Sequence, residues 1–201
     1  MQLFLNATSP FARVARIAAL EKGLVKRVQL VWSDPWNHDP ALLAVHPQLR
    51  IPVLVTDEGQ AIAESLLIAQ YLDQIGTGPA LVPPAQCAAV LAQASVGYGL
   101  MEAAFAVVIA RKYQGAEAEA DASVLGQRRL AALGRTLAQL EQTPPRPVGA
   151  DFSLDQITVA VGLEYVRFRL PALLPADAYP RLHAWLEAAR QRPSLHATRF
   201  E

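Results

Sequence analysis

The sequence predicts a small α/β unit followed by an all-α unit, and three observations carry that reading. The first 75 residues alternate short apolar runs with amphipathic stretches. "GTGPALVPPAQ" (76–86) then interrupts the pattern with Gly and Pro. Beyond it, the long segments have helical spacing and show no strand-like alternation.

Element by element, residues 2–5 form a first strand and 10–22 a helix closed by Gly23, a common C-terminal glycine. Residues 28–32 are a second strand. "SDPWNHDP" (33–40) is a loop of turn formers, and 41–45 a short helix. Residues 52–56 form a third strand, and "DEGQ" (57–60) turns the chain into a fourth, 61–63. Residues 65–75 are again helical, which gives the order βαβαββα. The second half predicts helices over 87–113, 118–142, 154–169 and 180–191, with "TPPRPVGAD" (143–151) between the second and third. Two domains follow, 1–76 and 86–201. No internal repeat is visible.

A chain of 201 residues can bury a real core, and 52% hydrophobic content excludes general disorder. Lys+Arg and Asp+Glu are both 18, so no net positive charge favours nucleic acid. The single cysteine, Cys87, makes no internal disulfide and reads as a small buried hydrophobe. His38, His46, His183 and His196 lack metal-ligand spacing, so no metal site is expected. The N-terminus has no basic, then apolar, leader pattern, so a cytoplasmic protein is expected. "AAVLAQASVGYGLMEAAFAVVIA" (88–110) is the most apolar stretch. With Gln93, Ser95, Glu102, Gly97 and Gly99 inside it, it reads as a core helix and not a membrane span.

Three short motifs carry chemistry, each with a plainer structural reading beside it. In Thr8-Ser9-Pro10-Phe11, Pro10 suits the first helical position and Ser9 the N-cap. The same helix terminus offers free N–H groups and a positive dipole end to an anion. In "HPQLRIPVLV" (46–55), Ile51-Pro52 precedes a strand, and X-Pro is the only common cis bond. A cis turn would turn the Ile51 backbone outward for an extended peptide to pair with; an ordinary turn proline is the alternative. In "AIAESLLIAQYLD" (61–73), Ser65 opens a helix that suits a carboxylate, and Glu64 suits an ammonium.

Taken together, in that order and inside βαβαββα, these motifs resemble the glutathione S-transferase superfamily. The resemblance spans the whole chain and is strongest over 1–75. "TSPFARVARIAALEKGL" is similar to the serine-type members, and "RIPVLVTDEGQAIAESLLIAQYLD" (50–73) is the most specific stretch. It implies a thioredoxin-like N-terminal domain followed by an all-helical C-terminal domain, glutathione as co-substrate and a homodimer.

By the same resemblance Ser9 would be catalytic, holding the thiolate, with Phe11 beside it. Ile51 and Pro52 would meet the cysteinyl part, and Glu64 and Ser65 the γ-glutamyl head. Many relatives carry Lys or His before the I-P pair. Here Leu49 and Arg50 stand there, and Arg50 is the candidate for the glycyl carboxylate, with the 36–38 loop as a second source. Arg13, one turn into the helix, is expected to be either structural or near the edge of the site. Ser153 and Gln156 offer a capping box where the family usually has Ser/Thr-x-x-Asp. Phe11, Tyr98, Met101, Phe105 and Tyr113 are candidates for the site of a small hydrophobic electrophile. Aromatic residues at helical spacing also pack cores. Conjugation of glutathione to an electrophile is therefore expected, as in detoxification. Glutathione-dependent disulfide or peroxide reduction, and non-catalytic glutathione binding in regulation, are the alternatives.

Overall fold

The computed structural model describes residues 1–113 and 116–201. Four strands, β1 (Gln2–Leu5), β2 (Gln29–Trp32), β3 (Val53–Val55) and β4 (Ala61–Ala63), form one sheet in the order β2-β1-β3-β4. β1 runs parallel to β2 and antiparallel to β3, and β4 is antiparallel to β3. Helices α1 (Pro10–Glu21), α2 (Pro40–Val45) and α3 (Ser65–Ile75) complete this unit. Leu3, Leu54, Ile17 and Ile68 are buried together between the sheet and α1 and α3.

The helical half contains α4 (Cys87–Tyr113), α5 (Glu117–Ala122), α6 (Val124–Gln142), α7 (Leu154–Arg169), α8 (Pro180–Ala189) and α9 (Pro193–His196). α4 is long and apolar enough to cross a membrane, but Val90, Ala94, Gly97, Met101 and Ala104 on it are buried. It packs most extensively on α7. A Cβ at Gly97 would stand 2.5 Å from the backbone nitrogen of Val159, so only glycine permits this close crossing. α7 is buried almost throughout, including Asp155, Gln156 and Thr158. At its start Ser153 and Gln156 form the expected capping box.

Several boundaries differ from the sequence reading, each for a local reason. α1 stops at Glu21 because Lys22 turns inward, its Nζ 3.0 Å from Asp73 and 2.9 Å from the Pro79 carbonyl. β2 begins at Gln29, because Val28 still donates to the Leu24 carbonyl. β3 begins at Val53, since Pro52 has no N–H for a ladder. The helix read over 118–142 is two helices. Ser123 is extended (φ −61°, ψ 153°), and its Oγ accepts from the Gly126 N–H at 3.0 Å as the cap of α6. α8 ends at Ala189, two residues early. Cys87 is exposed, not buried: it is the first residue of α4. The loop read over 33–40 contains a short 3-10 turn at Pro35–Asn37.

The Gly/Pro-rich segment is tied to both halves. Asp73 accepts from the N–H groups of Leu81 and Val82, and the Leu81 carbonyl accepts from Leu154 N–H. Arg13 adds a deeper tie, reaching from α1 to Glu164 on α7, to the Leu195 carbonyl at 3.1 Å and to Thr198 Oγ1 at 3.2 Å. Of the two readings of Arg13, these contacts bear out the structural one.

Candidate functional site

A cavity of about 770 Å³ opens between the sheet unit and the helical half. Its two walls differ in origin. The α/β wall comes from the loop before α1, the 35–38 turn and the segment before β3; it includes Thr8, Ser9, Phe11, Arg50 and Ile51. The helical wall comes from α4 and α7, with Phe105, Val108 and Ile109 backed by Tyr165.

Ser9 sits where β1 hands over to α1. Asn6 organises the turn, its Oδ1 accepting from the N–H groups of Thr8 (3.2 Å) and Ser9 (2.8 Å). Ser9 Oγ then accepts from the Ala12 N–H at 3.2 Å and caps α1. Capping uses a lone pair and leaves the hydroxyl proton available. The Ser9 hydroxyl can therefore cap the helix and donate to an anion in the cavity at once. Thr8 lines the same cavity.

Ile51 and Pro52 are joined by a cis peptide bond. Both line a small notch beside the main cavity, with Phe11, Arg50 and Glu64. Glu64 stands at the N-cap of α3 with φ +69°. One of its carboxylate oxygens lies 3.2 Å from Arg50 Nη1, and the other accepts from the Tyr98 hydroxyl at 3.1 Å. Burial, then the Glu64 charge, pushes the Tyr98 phenol up to about 12. Ser65, the first residue of α3, is fully buried, and its Oγ has no hydrogen-bond partner among the described residues. A ligand reaches that hydroxyl only through a local shift at the notch, whose rim carries the Arg50–Glu64 pair.

The helical candidates divide. Phe11 packs on Phe105 with ring centres 5.8 Å apart, and both face the cavity. Met101 does not: it is wholly buried in the α4 core, because its position faces α7. Tyr98 packs on Phe11 at 5.3 Å but points to Glu64, away from the main cavity. Tyr113 is half-exposed and stacks on Trp36 at 4.8 Å, outside the lining. Arg50 lines the cavity, but its ion pair puts the guanidinium on Glu64.

Residues missed in the sequence include Asn6, Lys112, Tyr165 and Arg169, all lining the cavity, whereas the 36–38 loop read as a second source brings Trp36 and His38 to it. Asn6 carried a signal, an Asx residue three positions before a helix cap. Tyr165 and Arg169 carried none, since only the tilt of α7 brings them to the site. Burial raises the Tyr165 phenol to about 12, with Arg169 pulling partly back. Among the described residues, no cluster of His, Cys, Asp and Glu could hold a metal ion.

Residues 8–75 match the family model of the glutathione S-transferase N-terminal domain, and 116–188 that of the C-terminal domain. An uncharacterized GST-like protein of Escherichia coli K12, YibF, is 30% identical over 173 residues, 84% of this chain and 83% of its own. The chain belongs to the glutathione S-transferase family. Solved structures agree with that membership. A glutathione transferase family member from Pseudomonas fluorescens Pf-5, with bound glutathione, superposes with a TM-score of 0.90 at 32% identity, covering 100% of this chain and 98% of that one. A second structure from that source, with bound S-(propanoic acid)-glutathione, gives 0.86 at 31% identity and covers 100% of both chains. A glutathione S-transferase of Methylobacillus flagellatus KT with glutathione bound gives 0.86 at 27%, covering 98% of each.

Proposed function

We propose that this family member is a glutathione transferase that conjugates glutathione to a small electrophile. The observation that carries the reading is Ser9: it lines a cavity at the N-terminus of α1 while its Oγ lone pair caps that helix. Glutathione would lie along the α/β wall. Its γ-glutamyl carboxylate would go to the first turn of α3 and Ser65, its ammonium to Glu64, and its cysteinyl backbone to Ile51. Support comes from relatives whose structures hold glutathione, and from one that holds glutathione with a propanoic acid group on sulfur.

The chemistry asks little of the protein beyond positioning and thiolate stabilisation. The Ser9 O–H and the α1 dipole favour the ionised thiol; each pKa unit gained corresponds to about 1.4 kcal/mol. The thiolate then forms a sulfur–carbon bond to the electrophile, and the leaving group departs with its electron pair. The same reading takes 1–76 as the glutathione-binding domain and 86–201 as the helical domain of a cytoplasmic homodimer, and gel filtration tests the dimer.

The deciding experiment titrates glutathione calorimetrically into the wild type and Ser9→Ala while following the ultraviolet thiolate band. Binding by both, with the band lost only in Ser9→Ala, is expected. No binding to the wild type overturns the reading. A band that survives in Ser9→Ala removes Ser9 from the role and points to Thr8.

A further inference from the structure

We propose that the electrophile carries a carboxylate, held between Lys112 and Arg169 on the helical wall; this rests on the transferase reading above. Both residues line the cavity. Lys112 follows Val108 by one turn of α4, and Arg169 follows Tyr165 by one turn of α7, so each base continues a cavity-facing row.

Basic side chains in the last turn of a helix commonly answer its dipole, and both helices end here. That accounts for a base near each terminus but not for what these two touch. Their neighbours show the difference. Arg111, beside Lys112, pairs with Asp121 at 2.7 Å. Arg167, two residues before Arg169, pairs with Glu187 at 2.8 Å. Among the described residues, Lys112 and Arg169 have no carboxylate partner. Lys112 lies 5.0 Å from the Tyr113 ring centre and Arg169 4.2 Å from that of Phe168. The partnered bases face away from the cavity lining, and the unpartnered ones belong to it.

The charge balance of the lining points the same way. The chain has 18 acids and 18 Lys+Arg. Yet the described residues lining the cavity include Arg50, Lys112, Arg169 and His38, and neither Asp nor Glu. Arg50 already has Glu64. Lys112 and Arg169 stand on the opposite wall, beyond Phe105, Val108 and Ile109. A substrate complementary to that wall is apolar where it meets these three and singly anionic at its far end. Two cations that have no carboxylate partner among the described residues prefer an anion to a neutral group of the same shape.

The test compares two isosteric probes, S-(4-carboxybenzyl)glutathione and S-(4-carbamoylbenzyl)glutathione, by calorimetry, so that no turnover is needed. The wild type binds the carboxylate about tenfold tighter, and the preference shrinks as salt rises. Lys112→Met and Arg169→Met each cut it several-fold and leave the affinity for glutathione itself unchanged. Equal affinities for the two probes, with glutathione bound normally, overturn the proposal and spare the transferase reading. A loss of glutathione affinity in the variants equal to the loss for the carboxylate probe also overturns it, since the cations would then serve the tripeptide. Failure of glutathione and both probes to bind overturns the transferase reading and this inference with it.

Discussion

The two walls of the cavity are built by different rules. On the α/β wall each candidate lies at a junction that the local sequence specifies: a cap, an X-Pro turn, a strand-to-helix corner. On the helical wall the lining side chains are set by how α4 and α7 cross, which depends on residues far from the cavity, such as Gly97. The first kind of wall keeps its geometry when the packing elsewhere changes. The second shifts with it. Within one fold, a wall specified by local sequence can thus stand opposite a wall whose lining is set by helix packing.

The comparison breaks if the walls are separated. Arg13 is one turn beyond Ser9 on α1, and its guanidinium meets Glu164 of α7 in the interior. Burial lowers the Arg13 pKa, and Glu164 opposes that shift. Removing the arginine leaves Glu164 buried with Arg190 as its remaining cation at 3.0 Å. Breaking a buried pair this way costs roughly 3–5 kcal/mol. Arg13→Met should therefore destabilise the protein by about 3 kcal/mol in denaturant unfolding. A change near zero would mean that the Arg13–Glu164 pair adds nothing to holding the two halves together.

A second change should move one wall and spare the other. At Gly97→Ala the added methyl would meet the Val159 nitrogen at 2.5 Å and the Thr158 carbonyl carbon at 2.6 Å, both backbone atoms. Overpacking of this kind costs about 2 kcal/mol and pushes α4 from α7. Turnover of electrophiles should change more than glutathione affinity, read by calorimetry, because the added methyl meets α7 and reaches the α/β wall indirectly, through Tyr98 and Phe105. A large loss of glutathione affinity would show that the walls are coupled.

The same division explains what could be read from the sequence. The strand and helix order of the first 75 residues follows from local periodicity and turn chemistry, and the observed elements depart from it by a residue or two at their ends. Ser9, Ile51 and Phe11 reach the cavity because a cap and a turn each fix a side chain or backbone within a few residues. Met101 and Phe105 are one turn apart on α4, yet one is in the core and the other on the cavity. Periodicity puts both on neighbouring faces of an apolar helix, and only the position of α7 separates them. The break at Ser123 was hidden for a related reason. A serine amid helix formers reads as a tolerated interior residue until its extended backbone and cap are seen.

Ser65 sharpens the comparison on the α/β side. Its hydroxyl is buried without a partner among the described residues, so it contributes nothing by hydrogen bonding to the chain without ligand. Ser65→Ala should leave unfolding free energy unchanged or slightly higher. A hydrogen bond to a charged group contributes roughly 1.5–3 kcal/mol, so glutathione affinity should fall about tenfold or more. Loss of stability with unchanged affinity would make Ser65 a structural residue and move the γ-glutamyl site elsewhere.

The smallest effect separates the walls by pH. Tyr98, beside the α/β notch, and Tyr165, on the helical wall, both titrate at about 12 against an ordinary 10.0. Burial is the first cause in each; the Glu64 charge adds to it at Tyr98 alone. A raised folded-state pKa means that the native state holds the proton more tightly than the unfolded chain. The associated stability is fully present below pH 10 and is lost as pH rises from 10 towards 12. Tyr98→Phe and Tyr165→Phe should each flatten that alkaline loss in unfolding experiments and leave the curve unchanged at pH 7. High salt should reduce the Tyr98 contribution more than that of Tyr165, because only the former includes a carboxylate near solvent. An equal salt response would mean that Glu64 does not act on Tyr98 and that desolvation sets both phenols.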